Sequence, residues 1–506
     1  MSYRKSKKIT QLDIRQKHPR AVLSSTNRDY ADIANSLYDI LIGTDLGARF
    51  FEDELKSMAL KVTLYFEDIV SEIGIWASFV AKHKELYGKP LPFYAVGADY
   101  DTSNIHKEDI QFLLWDAMLA DEYSETMPNP ENYGIEDAAR QMFNYLDGIF
   151  EDTQINGTLY EYIHEAPFAS NFYDVRLVLN WYFFDCYLTS GRFLSSVLQD
   201  AIDMQMELCH GQSSVAQTAA MADVAFNHRI GPLALKPQEW LAALLRVNGQ
   251  EDKAAAVASI VNRQLEPYSL ESFDDKVVTL RDVDGDLMTL HRTKYFDVGD
   301  STMKGKGTNG CIGTFAFYNG EWFLNGMNLW ADVNKFTAGF KRERELAEKD
   351  LNALRGTLAG NRKSLFFFKD ADSFRKFIEE EFHMPLTEKQ KIPKGANNII
   401  MFIPEFIQEE NSKVEYSGDG RGFCLILDCA EYVKSPDNPM YNREKAKNYF
   451  LIADIEKVPG EFIRYAISQN LFPDFAINSA QGYRHARKLT QDNLDFLART
   501  LRRQDY

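Results

Sequence analysis

The apolar residues of this chain keep two different periods, and the change between them constrains the fold more than any other feature. From about residue 28 to 265 they recur every three or four positions, as in "RDYADIANSLYDILI", "KEDIQFLLWDAML", "PQEWLAALLRV" and "DKAAAVASIVNRQL". That is the helical period, in which each apolar stripe has to find a partner helix. At "LEPYSLESFDDK" the period drops to two, and three tight-turn pairs follow: Asp284-Gly285, Asn319-Gly320 and Asn325-Gly326. Such pairs supply the positive φ that short hairpin turns demand, so this stretch reads as about five short antiparallel strands forming a small sheet or barrel. Residues 338–358 read as a charged connecting helix. Beyond it the apolar runs "SLFFFK", "NNIIMFI" and "GFCLILDCAEYV" alternate with helical segments, the pattern of a mixed α and β domain.

The expected fold class is therefore α+β and multi-domain. An all-helical domain takes residues 1–265, an antiparallel β-sheet or barrel 266–335, a connecting helix 336–360 and a mixed α/β domain 361–506. A chain of 506 residues is too long for one core, and about two to four domains is the natural division. No repeat period is present, which argues against a solenoid.

Charge narrows the partners. Acidic residues number 74 against 57 basic ones, a formal net charge of -17, and such a field repels phosphate, so general affinity for nucleic acid or an anionic membrane is disfavoured. Five cysteines, odd in number and never spaced as CxxC, write neither a disulfide framework nor a thiolate zinc site. They fit a reduced, cytoplasmic setting. The basic start "MSYRKSKKITQLDIRQKHPR" lacks the apolar stretch of an export signal. The most apolar run, "VRLVLNWYFFDCYL", is too short for a bilayer and reads as a buried helix.

The segment "YFEDIVSEIGIWASFVAKHKELYGKPLPFY" (65–94) poses a sharper question, because Glu67, Asp68 and Glu72 stand among seven aromatic residues. Leu55, Met58, Val62, Tyr65, Ile69, Ile73, Trp76 and Val80 step at helical spacing, which predicts one continuous helix. Asp68 and Glu72, four apart, fall on the leftover face and read as its solvated side. That segment, with "NRDYADIANSLYDIL" and the later "DNPMYN", "LFPDFAIN" and "DNLDFLAR", resembles a family of uncharacterised bacterial proteins grouped as a domain of unknown function. The resemblance spans most of the chain and implies a bacterial cytoplasmic protein. It brings no activity and no catalytic residue to carry over.

Few residue patterns carry chemistry. Glu-x-x-His occurs at Glu161/His164, Glu207/His210 and Glu380/His383, a spacing that puts carboxylate and imidazole on one helix face, as in di-iron bundles. Glu161, His164, Glu207 and His210 are the candidate ligands for iron, manganese or zinc. The pattern departs from the bundle type in two respects: the segment between the pairs, 171–200, offers Asp174, Asp185 and Asp200 but no glutamate, and "EYIHEAPF" runs into Pro167. "RDVDGD" resembles the start of a calcium loop with its glycine misplaced, and a hairpin turn accounts for it. In "STMKGKGTNGCIG" Lys304 and Lys306 among glycines could cradle a phosphate, although the spacing is not that of a P-loop. The basic stretch "YRHARKLTQDNLDFLARTLRRQ" reads as a terminal helix that docks on the domain by its apolar residues and turns its arginines to an acidic surface, own or foreign. No nucleophilic triad is written in the chain.

Three readings of function follow. The first is a cytoplasmic interaction protein with a protein partner and no catalysis. The second is a metal-dependent enzyme built on the Glu-x-x-His pairs. The third binds nucleic acid or a phosphorylated ligand through Lys304, Lys306 and the basic stretch.

Overall fold

The computed structural model describes residues 8–119, 127–169, 171–191, 194–206, 211, 213–298, 307–358, 363–380, 392–393, 395–404, 423–447, 449–472 and 482–506. The chain divides into two compact units, one of Met1–Val333 with Asn478–Gly482, the other of Asn334–Ile477 with Tyr483–Tyr506. The N-terminal helices and the barrel that follows them fall in the same unit.

The helical part of the first unit consists, among the described residues, of α1 (Gln11–Gln16), α2 (Asn27–Ile42), α3 (Glu52–Val70), α4 (Ile75–Tyr87), α5 (Lys107–Met118), α6 (Tyr133–Asp147), α7 (Gly157–His164), α8 (Phe172–Phe184), α9 (Leu194–Met206), α10 (Ser213–Asn227), α11 (Pro237–Val247) and α12 (Glu251–Ala258). The single helix expected from Leu55 to Val80 is in fact two. Glu72 (φ 52°) and Gly74 (φ 95°) take left-handed backbone and turn the chain between α3 and α4. The apolar period reads through the break because both helices bury into the same core: Tyr65 meets Trp76 edge to face at 5.3 Å, and Trp76 and Phe79 pack on Phe112 of α5.

The helical period also overran its end. Expected helix to residue 265 stops at Ala258, and β1 begins at Val261. Strands β1 (Val261–Phe273), β2 (Val277–Arg281), β3 (Leu287–His291), β4 (Gly310–Tyr318) and β5 (Glu321–Ala331) close a barrel in the order β1-β2-β3-β5-β4, with β1 pairing back onto β4. All pairs are antiparallel except one parallel contact, Leu290 with Trp322, that joins β3 to β5. Tyr268, Val278, Leu280, Leu290 and Phe315 fill the barrel. Helix α10 covers β5, β1 and β4, and Phe172 of α8 stacks on Phe323 at 5.3 Å, which leaves the outer face of β2 and β3 wet.

Two of the three turn signals behave as expected. Asn319 (φ 49°) and Gly320 (φ 85°) form the two-residue β4–β5 hairpin, and Asp284-Gly285 lies between β2 and β3. Asn325-Gly326 instead lies inside β5, where the β4–β5 register shifts between Gly313 and Phe315. Gly326 (φ 112°) is needed there twice over: a Cβ would stand 2.7 Å from the Ala222 methyl of α10 and 2.8 Å from Thr314 Oγ1.

The second unit is mixed α and β. Helix α13 (Asn334–Leu358), β6 (Leu365–Asp370), α14 (Ala371–Glu380), β7 (Asn397–Phe402), β8 (Cys424–Ile426), α15 (Arg443–Ala446), α16 (Gly460–Ser468), α17 (Tyr483–Gln491) and α18 (Leu494–Arg502) are its regular elements among the described residues. The three strands form one antiparallel sheet in the order β6-β7-β8. Leu354, Phe374, Ile378, Ile399 and Met401 make its core. The terminal helix docks through Phe496, Leu497 and Leu501 as its period implies, but its arginines do not all face outward. Arg502 is wholly buried, donating to the carbonyls of Ile452 and Asp454 at 3.2 and 3.3 Å and to the Val458 carbonyl and Asp505. The guanidinium thus joins backbone carbonyls as well as an acid of its own chain. Among the described residues no helix is long and apolar enough to cross a membrane.

Candidate functional site

Two carboxylates of the 65–94 segment, Glu67 and Asp68, are not on a wet face. Glu67 is 0% and Asp68 2% exposed, whereas Glu72, at the helix break, and Glu85 reach solvent. Buried carboxylates need partners, and each has them. Glu67 Oε2 lies 2.8 Å from His18 Nε2, while Oε1 accepts from Asn156 Nδ2 at 2.8 Å. Asn156 also caps α7, accepting from the Leu159 amide, and its own amide donates to Ser71 Oγ. Asp68 accepts the amides of Gly74, Ile75 and Trp76 at 2.7–3.0 Å and the Tyr187 hydroxyl, so it caps α4 from the end of α3. Burial raises its pKa to about 6. On α5, Asp109 accepts from Tyr65 and Tyr100 hydroxyls at 2.6 and 2.9 Å, and burial lifts it to about 7. Asp116 is bonded to Lys61.

Sequence reasoning missed this network, although a signal was present. The apolar stripe of α3 is widened on both flanks by Phe66 and Val70, which leaves no room for a solvated side. A carboxylate near the end of such a helix, six residues before a glycine that starts the next one, has backbone amides as its natural partners.

The buried histidines are equally committed. His164, on α7, is 0% exposed; its Nε2 lies 2.7 Å from the Ile73 carbonyl, its ring stacks on Tyr160 at 4.3 Å, and burial lowers its pKa. His83 reaches the Lys89 carbonyl at 2.7 Å. Glu161, one helical turn before His164, points elsewhere: it is exposed and lines a cleft. The structure thus does not bring Glu161 and His164 together on a common ligand. Glu207 and His210 lie outside the described residues, as do Lys304, Lys306 and His383. Among the described residues no three His, Cys, Asp or Glu side chains gather as a metal ion would require.

The cleft has a volume of about 220 Å³ and is walled by four segments. The first is Pro19-Arg20, where Arg20 (φ 57°) and Ala21 (φ 48°) both hold left-handed backbone, a conformation that costs energy in non-glycine residues and collects at functional places. Glu161 and Tyr162 of α7 form the second, Ala166 and Pro167 the third, and Asp174, Leu177 and Val178 of α8 the fourth. Arg20 is paired with Asp174 of α8, with side chains 41% and 28% exposed. Pro167, Leu177 and Val178 supply an apolar wall. The N-terminal segment is held in place from behind by His18 on Glu67 and by Trp181 Nε1, which donates to the Lys17 carbonyl at 2.7 Å. Glu161 has no ion-pair partner among the described residues, whereas Glu165, on the next turn, takes Lys253.

The outer face of the barrel is the other open surface. Thr279 and Thr289 face each other across β2 and β3, flanked by Arg281 opposite Leu287 and by Val277 opposite His291. Its arginines are already paired, Arg281 with Glu271 and, just beyond β3, Arg292 with Asp297. Asp274, Asp275, Asp284 and Asp286 surround the turns, so the local field opposes a polyanion.

Comparison with known proteins gives one family. The profile described as "Protein of unknown function (DUF3843)" matches residues 8–284 and 341–503, which takes in all the residues of the cleft and of the buried network and leaves out β3, β4 and β5. No curated protein and no solved structure matches the chain.

Proposed function

We propose, from the premise that the chain belongs to the DUF3843 family, that it is a bacterial, cytoplasmic interaction protein that seats a segment of a protein partner in the cleft of its helical bundle and carries out no chemistry there. One observation carries this reading. The ionisable side chains gathered in the bundle interior, Glu67, Asp68, Asp109, Asp116, His83 and His164, are bonded to other groups of the fold, and none lines the cleft. A general acid or base has to be within hydrogen-bond reach of a substrate, and these are held away from it. The cleft itself offers charge and apolar surface, which suits recognition.

A photoreactive residue at position 162, replacing Tyr162 in the full chain expressed in its own cell, tests this. A discrete heavier protein adduct on illumination is expected, lost when Arg20→Glu and Asp174→Lys are combined. A labelled chain that forms no protein adduct overturns the proposal.

A further inference from the structure

We infer that the cleft accepts a lysine side chain of the partner, its ammonium on Glu161 and its aliphatic stem along Pro167, Leu177 and Val178. This rests on the interaction reading above and specifies the partner's chemistry. Three observations converge on it.

Charge comes first. Of the three ionised groups in the lining, Arg20 and Asp174 satisfy one another, and Glu161 is the carboxylate left over. A site with one spare negative charge is complemented by one positive charge. A partner carboxylate or phosphate would instead have to break the Arg20–Asp174 pair while facing Glu161. Size comes second. About 220 Å³ is below the ~300–1,000 Å³ of sites for drug-sized ligands and suits one long side chain. Shape of polarity comes third: a carboxylate at one side and two prolines, Pro19 and Pro167, with Leu177 and Val178 around the rest match a side chain that is apolar for four carbons and charged at its tip. The net charge of -17 adds long-range attraction for a basic partner.

The test uses the full chain and a fluorescein-labelled peptide, Gly-Ser-Lys-Ser-Gly, in an anisotropy titration, with the norleucine and glutamate versions and free n-butylammonium as competitors. The lysine peptide is expected to bind best, and Glu161→Gln to weaken it at least about tenfold, the worth of one charge-assisted hydrogen bond. Glu161→Asp should keep part of the affinity, and Glu72→Gln, an exposed carboxylate at the α3–α4 break, should change nothing. Glu161 is exposed and bonded to no described residue, so its replacement leaves the fold intact. Equal binding of the norleucine peptide, or binding unaltered in Glu161→Gln, overturns the inference. So does n-butylammonium competing as well as the peptide, which would make the occupant a free amine. If none of the peptides binds while the position-162 adduct still forms, the lysine assignment falls and the interaction reading stands; loss of the adduct removes both.

Discussion

Asp68 and Asp109 sit out of water, bonded to no cation among the described residues, so desolvation dominates their titration. With Asp109 raised from 3.8 to about 7, the folded chain keeps a proton that the unfolded chain has released between about pH 4 and 7. Stability from this group therefore falls as pH rises through that window and stays lost above it. His83 acts in the opposite sense. Burial lowers it from 6.5 to about 4, so the unfolded chain takes up a proton that the folded one refuses, and its contribution is lost as pH falls from about 6.5 to 4. Asp109→Asn is expected to be more stable than the parent at pH 8, on the order of a few kcal/mol, with the gap closing toward pH 4. Urea denaturation at both pH values checks this; equal midpoints for the two chains at pH 8 would mean that Asp109 ionises as freely folded as unfolded. None of these pairings is legible from spacing alone. Glu67 meets His18 and Asn156, residues far away in sequence, and only the topology brings them together.

Elements were more readable than residues. The periods that mark α5, α6, α8 and α11 are carried by side chains that do bury, and the two-residue β4–β5 turn follows from Asn319 and Gly320. The misreadings share one cause: a local pattern does not report which neighbour arrives. The apolar period runs unbroken from α3 into α4 because one core receives both, and the turn pair Asn325-Gly326 stays in a strand because α10 presses on it. Gly326→Ala is accordingly expected to destabilise the chain by about 2–4 kcal/mol, combining a left-handed φ with a methyl forced against Ala222 and Thr314. Gly320→Ala, in an open turn with nothing within 4 Å, should cost less. Equal losses in chemical denaturation would show that close approach plays no part.

At the scale of the molecule, the order helices, barrel, mixed α and β was legible because each class of element has its own period. How these regions group was not, because grouping depends on contacts such as α10 on β5 that no period encodes. The division falls between Val333 and Asn334, and each unit has its own core. Calorimetry is expected to show two transitions. Phe374→Ala, in the core of the second unit, should lower one by the ~3–5 kcal/mol of a buried aromatic cavity and leave the other in place; one shared transition that shifts as a whole would refute this.

The anchoring of His18 has a consequence for biosynthesis. Asn156, which completes the grip on Glu67, is made about 140 residues after His18, and Trp181 later still. At ~5–20 residues per second that is a delay of roughly 7–30 seconds. For that interval the nascent stretch around His18 lacks these anchors, and one wall of the cleft does not yet exist.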